Sequence, residues 1–293
     1  MAKLPEPPPD SPTVQALYAA REAAQELRFS RRLGASQAGE PCDRALWYAF
    51  RWYLTPERFV GRMVRLFEYG HLFEERIAQD FHAAGIEVNM LDAETGQQYE
   101  FTGCNGHLVA KIDGAVLGIP EAPKTWHVLG CKTMNTKNFA ELQKKGVREA
   151  KPKHYVQAII ELELTCQKRY LYIAENKDDS ALYTERFRYE EVKEDSKACL
   201  ARCQSIIDAR EPPERISYDI DSWDCKYCGF KDVCHSGAEA AVNCRTCTHS
   251  KPITDGQWQC EKIPTTLTLE QQQAACGLYQ IQLGVPDALK KTP

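Results

Sequence analysis

Two short segments of the sequence each set an ionisable side chain in apolar surroundings. In "VAKIDGAV", Asp113 interrupts an apolar strand just before a glycine, and in "TWHVLGCKTMN" an apolar run ends at Lys132. A carboxylate buried without a partner is costly, so an acid inside a strand needs a cation, a hydrogen-bond network or a metal. A hairpin through the turn "PEAPK" would bring Lys132 back alongside Asp113. We therefore expect the two side chains to be neighbours.

This pair is part of what phosphodiester cleavage requires. An Asp on one strand and an acid-x-Lys on the next can act with a Glu from a preceding helix. The carboxylates hold a hard divalent cation, the cation lowers the pKa of a bound water and polarises the phosphate, and the lysine steadies the developing charge. Side chains alternate along a strand, so positions 130 and 132 face the same way. Position 130 is Gly130, which offers no ligand.

Periodicity indicates the elements that must position these residues. An amphipathic pattern over 60–84 predicts a long helix that ends at Gly85. In chain order, strand patterns follow at 86–91, 97–102, 107–119 and 125–134, helical patterns at 138–147 and 153–167, strands at 168–177 and 181–190, and a helix at 190–209. The first four strands suggest an antiparallel meander. The whole order predicts an α/β domain with a mixed sheet flanked by helices.

The residues resemble the PD-(D/E)XK nuclease superfamily, in the branch of lambda exonuclease, the RecB and AddB nuclease domains and the iron-sulfur nucleases of CRISPR adaptation. The resemblance covers about residues 36–234. "YGHLFEERIAQ" is similar to the branch's helical G-x-x-x-E motif, "KIDGAV" supplies its aspartate, and "GCK" stands where the family has acid-x-Lys. "KHYVQAIIEL" resembles the following helix with its Tyr and Gln.

The resemblance implies a restriction-endonuclease-like fold and a Mg²⁺- or Mn²⁺-dependent DNA nuclease of recombination or replication, encoded by a phage. It makes Glu74 and Asp113 the metal ligands, with Glu75 as a one-residue alternative to Glu74. Lys132 would act at the attacking water. Tyr155 and Gln157 would support the lysine and the DNA backbone.

Gly130 departs from this pattern. Losing a charged ligand should weaken the metal and the water activation that the metal drives. Glu121 is the nearest other acid in the hairpin, but it falls in the turn. An engineered substitution, a naturally weakened member and an acid that has migrated from elsewhere all remain open. We expect much reduced cleavage with retained DNA binding; the alternatives are a non-catalytic DNA-binding or scaffolding protein and, ranked lower, an iron-sulfur redox protein.

Charge narrows the way in which DNA could be bound. The net charge of −4 and the pI near 6.0 argue against a general polyanion binder, so nucleic-acid contact needs a local basic patch. The segment "LQKKGVREAKPKH" offers such a patch for sequence-independent phosphate contacts; its members are Lys144, Lys145, Arg148, Lys151 and Lys153. A solvated charged face is the alternative interpretation.

Thirteen cysteines are the most informative count in the composition. In a reducing compartment, cysteines at short spacings more often bind metals than form disulfides. "DCKYCGFKDVC" presents Cys225, Cys228 and Cys234 as three ligands that need a fourth. The family resemblance implies that Cys42, in "GEPCDRALWY", completes a four-iron four-sulfur cluster that fastens both ends of the nuclease domain. A zinc site with the same four residues is the alternative.

A second cysteine group follows in the last part of the chain. Its members are Cys244, Cys247, Cys260 and Cys276, with His249 as a less favoured replacement for one of them. Four such residues match the closed tetrahedral coordination of structural zinc. We therefore expect residues 237–293 to form a zinc-ribbon-like module. Residues 13–236 would form the nuclease domain, and residues 1–12, which are rich in proline, would be disordered.

The chain has neither a membrane-length apolar run nor the apolar core of a secretory signal. This predicts a protein of the bacterial host's cytoplasm with no membrane partner. The oligomeric state is not predicted.

Overall fold

The computed structural model describes residues 11–282. The helices are α1 (Pro12–Ala23), α2 (Ala35–Ala38), α3 (Asp43–Phe50), α4 (Gly61–Ala83), α5 (Thr136–Ala150), α6 (Pro152–Leu164), α7 (Tyr189–Asp208), α8 (Trp223–Lys226), α9 (Lys231–His235) and α10 (Leu269–Gln273). The strands are β1 (Leu33–Gly34), β2 (Glu87–Asn89), β3 (Glu100–Gly103), β4 (Leu108–Lys111), β5 (Gly114–Leu117), β6 (His127–Met134), β7 (Arg169–Asn176), β8 (Leu182–Arg188), β9 (Ser250–Pro252), β10 (Trp258–Cys260) and β11 (Thr265–Leu267).

A five-stranded mixed sheet in the order β2-β5-β6-β7-β8 forms the centre. The β6 and β7 strands run parallel, with Gly130 opposite Tyr172, and the other neighbours are antiparallel. Two parallel strands need a long crossover, and the chain makes it through α5 and α6. The predicted mixed sheet with flanking helices is confirmed.

Helices cover both faces of this sheet because the strands alternate their side chains. On one face, Phe73 and Ile77 of α4 pack in a cluster with Leu129 and Cys131 of β6. The other face is packed by α6 in a second cluster, which includes Val128 of β6. Lys132 and Gly130 alternate with Leu129 and Cys131, so they belong to the α6 face.

The predicted meander is wrong in one respect. The pattern over 107–119 is two strands, not one, and they belong to different sheets. The β4 strand pairs with β3 and β1, whereas β5 pairs with β2 and β6. The chain leaves the first sheet at Ile112 and enters the second at Gly114, which puts Asp113 at the break between them.

The described residues include parts of both ends of the predicted domain order. Ser11 caps α1 through a hydrogen bond from Val14 N, and Pro12 begins that helix; residues 1–10 of the segment predicted to be disordered lie outside the described residues. Toward the other end, Trp258 is fully buried in one apolar cluster with Trp47 and Phe50 of α3. The cysteine-rich segment, as far as residue 282, thus shares a core with the α/β domain.

Arg245 extends this shared core. Its guanidinium lies 3.7 Å from the ring centroid of Trp52 and 4.7 Å from that of Trp258. Its Nη1 donates to the carbonyl of Phe50 at 3.1 Å, and its Nε donates to Gln272 at 2.9 Å. Burial, followed by repulsion from Arg51, lowers the pKa of Arg245 well below its ordinary value.

Within residues 11–282, none of the helices combines the length and the apolar character that crossing a lipid bilayer demands.

Candidate active site

Asp113 and Lys132 lie side by side, as the hairpin predicts. Asp113 Oδ2 is 3.8 Å from Lys132 Nζ and accepts a hydrogen bond of 2.7 Å from the backbone N–H of Cys131. The pairing of β5 with β6 fixes this register, with Gly114 opposite Leu129. The carboxylate is therefore held between an ammonium and a main-chain donor at the point where the two sheets separate.

The charge of Lys132 is set by carboxylates around it. Burial acts to lower the pKa of this lysine, but Asp113 and Glu161 outweigh burial and leave the pKa raised. The side chain keeps 21% of its surface exposed, and the raised pKa favours its charged form. Such a group can stabilise negative charge that develops on a substrate.

Glu74 approaches the pair from α4, on the other face of the sheet. Its side chain is 27% exposed, with His71 Nδ1 3.7 Å from its Oε2. Burial and then the negative charge of Asp113 raise the pKa of Glu74. Carboxylates whose negative charges lie close together are favourable ligands for a cation. The neighbouring Glu75 is exposed, so Glu74 is the better placed of the two.

The space beside Gly130 is filled by a tyrosine. A Cβ atom added to Gly130 would lie 2.0 Å from the hydroxyl oxygen of Tyr170 and 2.8 Å from its Cζ. Real atoms do not approach so closely, and Tyr170 is buried, so no side chain fits at position 130 while Tyr170 keeps its place.

Glu161 is a residue of this site that the sequence interpretation missed. It lies on α6 with 1% of its surface exposed. Its Oε2 accepts from the Tyr170 hydroxyl and its Oε1 accepts from Gln157 Nε2, both at 2.7 Å. Burial raises the pKa of Glu161 to about 7, with Lys132 opposing that shift and Asp113 adding to it. The sequence signal that could have identified Glu161 is its position in an apolar run, directly between Ile160 and Leu162.

The two site residues predicted on α6, Tyr155 and Gln157, lie in different environments. Gln157 faces the site, where it holds Glu161. Tyr155 does not join it: its hydroxyl donates to Asp195 of α7 at 2.7 Å, and its ring packs against Phe187. The structure therefore places Tyr155 in the packing of α6 against α7 and β8 rather than at Lys132.

Most of the predicted basic patch is engaged with neighbouring side chains. Lys145 pairs with Glu141 at 3.2 Å, and Arg148 pairs with Asp195 at 2.8 Å. Lys151 donates to Asn138 at 2.7 Å, and Lys153 pairs with Glu40. Lys144 is exposed on the same helix as Lys145. A phosphate would have to compete with these carboxylates, so the patch is weaker than the sequence suggests.

Glu121 lies in the β5–β6 turn, where it lines a cavity with Arg169 and Arg186. This turn is at the opposite end of the hairpin from Lys132, as expected.

Each predicted cysteine set gathers in one place. Cys42, Cys225, Cys228 and Cys234 line one cavity. Arg215 Nε donates to the sulfur of Cys234 at 3.4 Å, and Arg44 Nη1 lies 4.0 Å from the same sulfur. Two cationic side chains therefore approach this sulfur.

A second cavity is lined by the other set, Cys244, Cys247, Cys260 and Cys276, together with His249. Burial first, and then the three other thiols, raise the pKa of Cys244 to about 11. Nowhere in residues 11–282 do three His, Cys, Asp or Glu side chains stand at the spacing of a bound metal ion. The cysteine sets are therefore gathered without being in coordinating geometry.

No family model and no curated protein matches the chain. Among solved structures, it is similar to SSO0001, with 14% identity and a TM-score of 0.44 over 77% of this chain and 97% of that one. It is also similar to LHK-Exo in complex with dAMP, with 18% identity and a TM-score of 0.40 over 65% of this chain and 92% of that one. It is similar, too, to an alkaline exonuclease (LHK-Exo) from Laribacter hongkongensis, with 17% identity and a TM-score of 0.37 over 65% of this chain and 92% of that one.

Proposed function

We propose that this chain is a metal-dependent nuclease that hydrolyses phosphodiester bonds in DNA. The observation that carries the proposal is the position of Asp113 between the Cys131 N–H and the Lys132 ammonium, with Glu74 coupled to it by charge.

The donor set fits a hard divalent cation. Carboxylate oxygens are the ligands that Mg²⁺ and Mn²⁺ prefer, and Asp113 and Glu74 supply them. When bound, such a cation would polarise the phosphate and lower the pKa of a coordinated water. The hydrogen bond from Cys131 N–H fixes the orientation of Asp113, and Lys132 stands ready to stabilise negative charge on the phosphate.

The exposed groups of α5 and α6 would hold the DNA backbone. Binding of this kind contacts phosphates without reading bases, so it should weaken as salt rises. Because four of the five predicted cations already have polar or acidic partners, the salt dependence should be shallow for a patch of this size.

Cleavage of end-labelled DNA with Mg²⁺ or Mn²⁺ tests the enzymatic proposal. We expect Asp113→Asn and Glu74→Gln to abolish cleavage, whereas Glu75→Gln and Asp80→Asn, exposed acids on α4, retain it. Loss of activity in Glu75→Gln with full activity in Glu74→Gln would reassign the ligand. An exonuclease would release mononucleotides from linear DNA and leave closed circles intact.

A second candidate is a DNA-binding protein that has lost the chemistry, and the tyrosine beside Gly130 favours it. This candidate predicts salt-sensitive DNA retention with no cleavage in either metal. If the wild-type protein neither binds nor cuts single- or double-stranded DNA, both candidates fail.

We also propose that the first cysteine set holds a four-iron four-sulfur cluster and the second holds zinc. Four thiolates suit either group, and the arginines at Cys234 would offset negative charge in the first set. Metal analysis of anaerobically purified protein should find iron, inorganic sulfide and one zinc, with visible absorbance that Cys225→Ser removes and Cys203→Ser keeps. A colourless protein with two zinc ions would overturn the cluster.

A further inference from the structure

The cavity beside Glu121 lies at the end of the central sheet that is remote from Lys132. It has a volume of about 370 Å³, and its wall includes His127 of β6, Arg169 of β7 and Arg186 of β8. Lys132 follows His127 on the same strand. At a rise of about 3.3 Å per residue, their Cα atoms are roughly 17 Å apart. The cavity is therefore separate from the proposed active site.

Strand pairing brings three arginines to this cavity. Arg169 stands directly opposite Arg188, and Arg186 stands opposite Leu171, so the three arginine side chains project from the same face of the sheet. Like charges directly opposite each other on paired strands destabilise a sheet. The exposed contact of Arg188 with Glu191, at 3.7 Å, offsets this repulsion only weakly. The pairing therefore favours an anion in the cavity.

The acids of the cavity wall do not neutralise these arginines. Glu185 is part of the wall, but its carboxylate accepts a hydrogen bond of 2.8 Å from Val147 N, which lies on the α6 face. Within residues 11–282, no carboxylate forms an ion pair with Arg169 or Arg186. Glu121 is exposed in the turn. Positive charge therefore predominates in the cavity.

His127 adds a buried acceptor to the wall, with 1% of its surface exposed. Its Nδ1 lies 2.9 Å from the Thr125 carbonyl, which can only accept, so Nδ1 carries a proton. Burial, the largest cause, and the charges of Arg169 and Arg186 lower the pKa of His127, so the ring is neutral and Nε2 presents a lone pair. Among the described residues, Nε2 has no hydrogen-bond partner. A buried polar atom of this kind calls for a donor from a ligand.

We propose that this cavity binds inorganic phosphate and recognises the hydroxyl that hydrogen phosphate keeps at neutral pH. The charged oxygens would accept from Arg169 and Arg186, and the P–OH group would donate to His127 Nε2. Sulfate has no hydroxyl, and a phosphate monoester loses its last proton near pH 6. Both would therefore leave Nε2 without a donor. The inference is independent of the proposed function, because it uses none of the residues assigned to the metal or the DNA.

Calorimetric titration of the full chain with inorganic phosphate, at about pH 7.5, tests the site. We expect saturable binding of one phosphate per chain. Sulfate and methyl phosphate, dianions that lack a hydroxyl at this pH, should bind at least about tenfold more weakly, because a site built around a hydrogen bond rejects a ligand that cannot form it.

Variants locate the binding. Arg169→Gln and Arg186→Gln should each weaken phosphate binding about tenfold or more, since each loses a charge-assisted hydrogen bond. The matched control is Arg65→Gln, an exposed arginine of α4, which should bind as wild type does. Glu121→Gln should tighten binding about two- to fivefold, because it removes a competing negative charge. His127→Phe should abolish the preference for phosphate over sulfate.

Three results would overturn the inference. The first is the lack of saturable phosphate binding by the wild-type chain, and the second is equal affinity for phosphate and sulfate. The third is an Arg65→Gln variant that loses as much affinity as Arg169→Gln, which would place the binding elsewhere. Thermal melting confirms that each variant is folded, and Arg186 and Glu121 are exposed, so their replacement leaves the core intact.

Discussion

Replacing Gly130 by alanine should destabilise the protein far more than its single methyl group suggests. The added Cβ would lie 2.0 Å from the Tyr170 hydroxyl and 3.0 Å from its Cε1, against an ordinary contact of about 3.5 to 4.0 Å. Tyr170 would have to move by more than 1 Å from a fully buried position, which would break its hydrogen bond to Glu161.

The magnitude follows from these two effects. Overpacking a rigid core costs about 1–3 kcal/mol. A buried carboxylate that loses its donor costs about 1–3 kcal/mol more. Replacing glycine restricts the unfolded chain, which offsets about 0.4–1 kcal/mol. We expect a net loss of about 1–5.6 kcal/mol, against the 5–15 kcal/mol of a typical fold.

Urea unfolding measures this loss through the transition midpoint and its slope. Gly70→Ala is the matched control, because Gly70 lies inside α4 with nothing within 4 Å of the added atom, and it should gain about 0.5–1 kcal/mol. The double variant with Tyr170→Ala should lose less than the sum of the two single changes, by at least about 1 kcal/mol. A Gly130→Ala protein within about 0.5 kcal/mol of wild type would refute the packing described at this position.

Two further predictions concern buried basic side chains. Burial, with Lys132 and Lys151, lowers the pKa of His154 to about 4. Because the unfolded histidine binds a proton near pH 6.5, the free energy of unfolding should fall by at most about 3 kcal/mol as the pH drops from 6.5 to 4. In urea unfolding with chelator present, His154→Gln should make this pH dependence flatter. An unchanged slope would contradict the assignment. Arg245→Ala should lower the free energy of unfolding by at least about 3 kcal/mol, since it removes stacking on Trp52 and leaves the Phe50 carbonyl without a donor. In thermal melts, the control Lys197→Ala, at an exposed position, should have little effect. Equal melting temperatures for the two variants would contradict this role of Arg245.

The proximity of Asp113 and Lys132 could be predicted because it depends on two local rules. A hairpin turn sets the register, and the alternation of strand side chains sets the face, so the spacing in the chain determines the spacing in space. The long helix α4 was predictable for the same reason, since its apolar periodicity reports the one face that it buries.

Two features depended on contacts that sequence spacing does not encode. The break between β4 and β5 follows from which strand each one pairs with. Asp113 and Gly114 interrupt the apolar pattern there, but they do not tell which strand each half pairs with. The link from Gly130 through Tyr170 to Glu161 joins three elements, β6, β7 and α6, by side-chain packing. A motif search along β6 finds the missing acid but not the side chains that surround the gap.

The burial of Trp258 beside Trp47 and Phe50 has a consequence for how the chain is made. Synthesis proceeds from the amino terminus, so the apolar side chains of α3 leave the ribosome long before their partner exists. Leu108, Ile160 and Ile206 of the same cluster emerge earlier and cover part of this surface, but the part that Trp258 covers stays exposed until residue 258 has been made. Exposed apolar surface of this kind is prone to aggregation during synthesis.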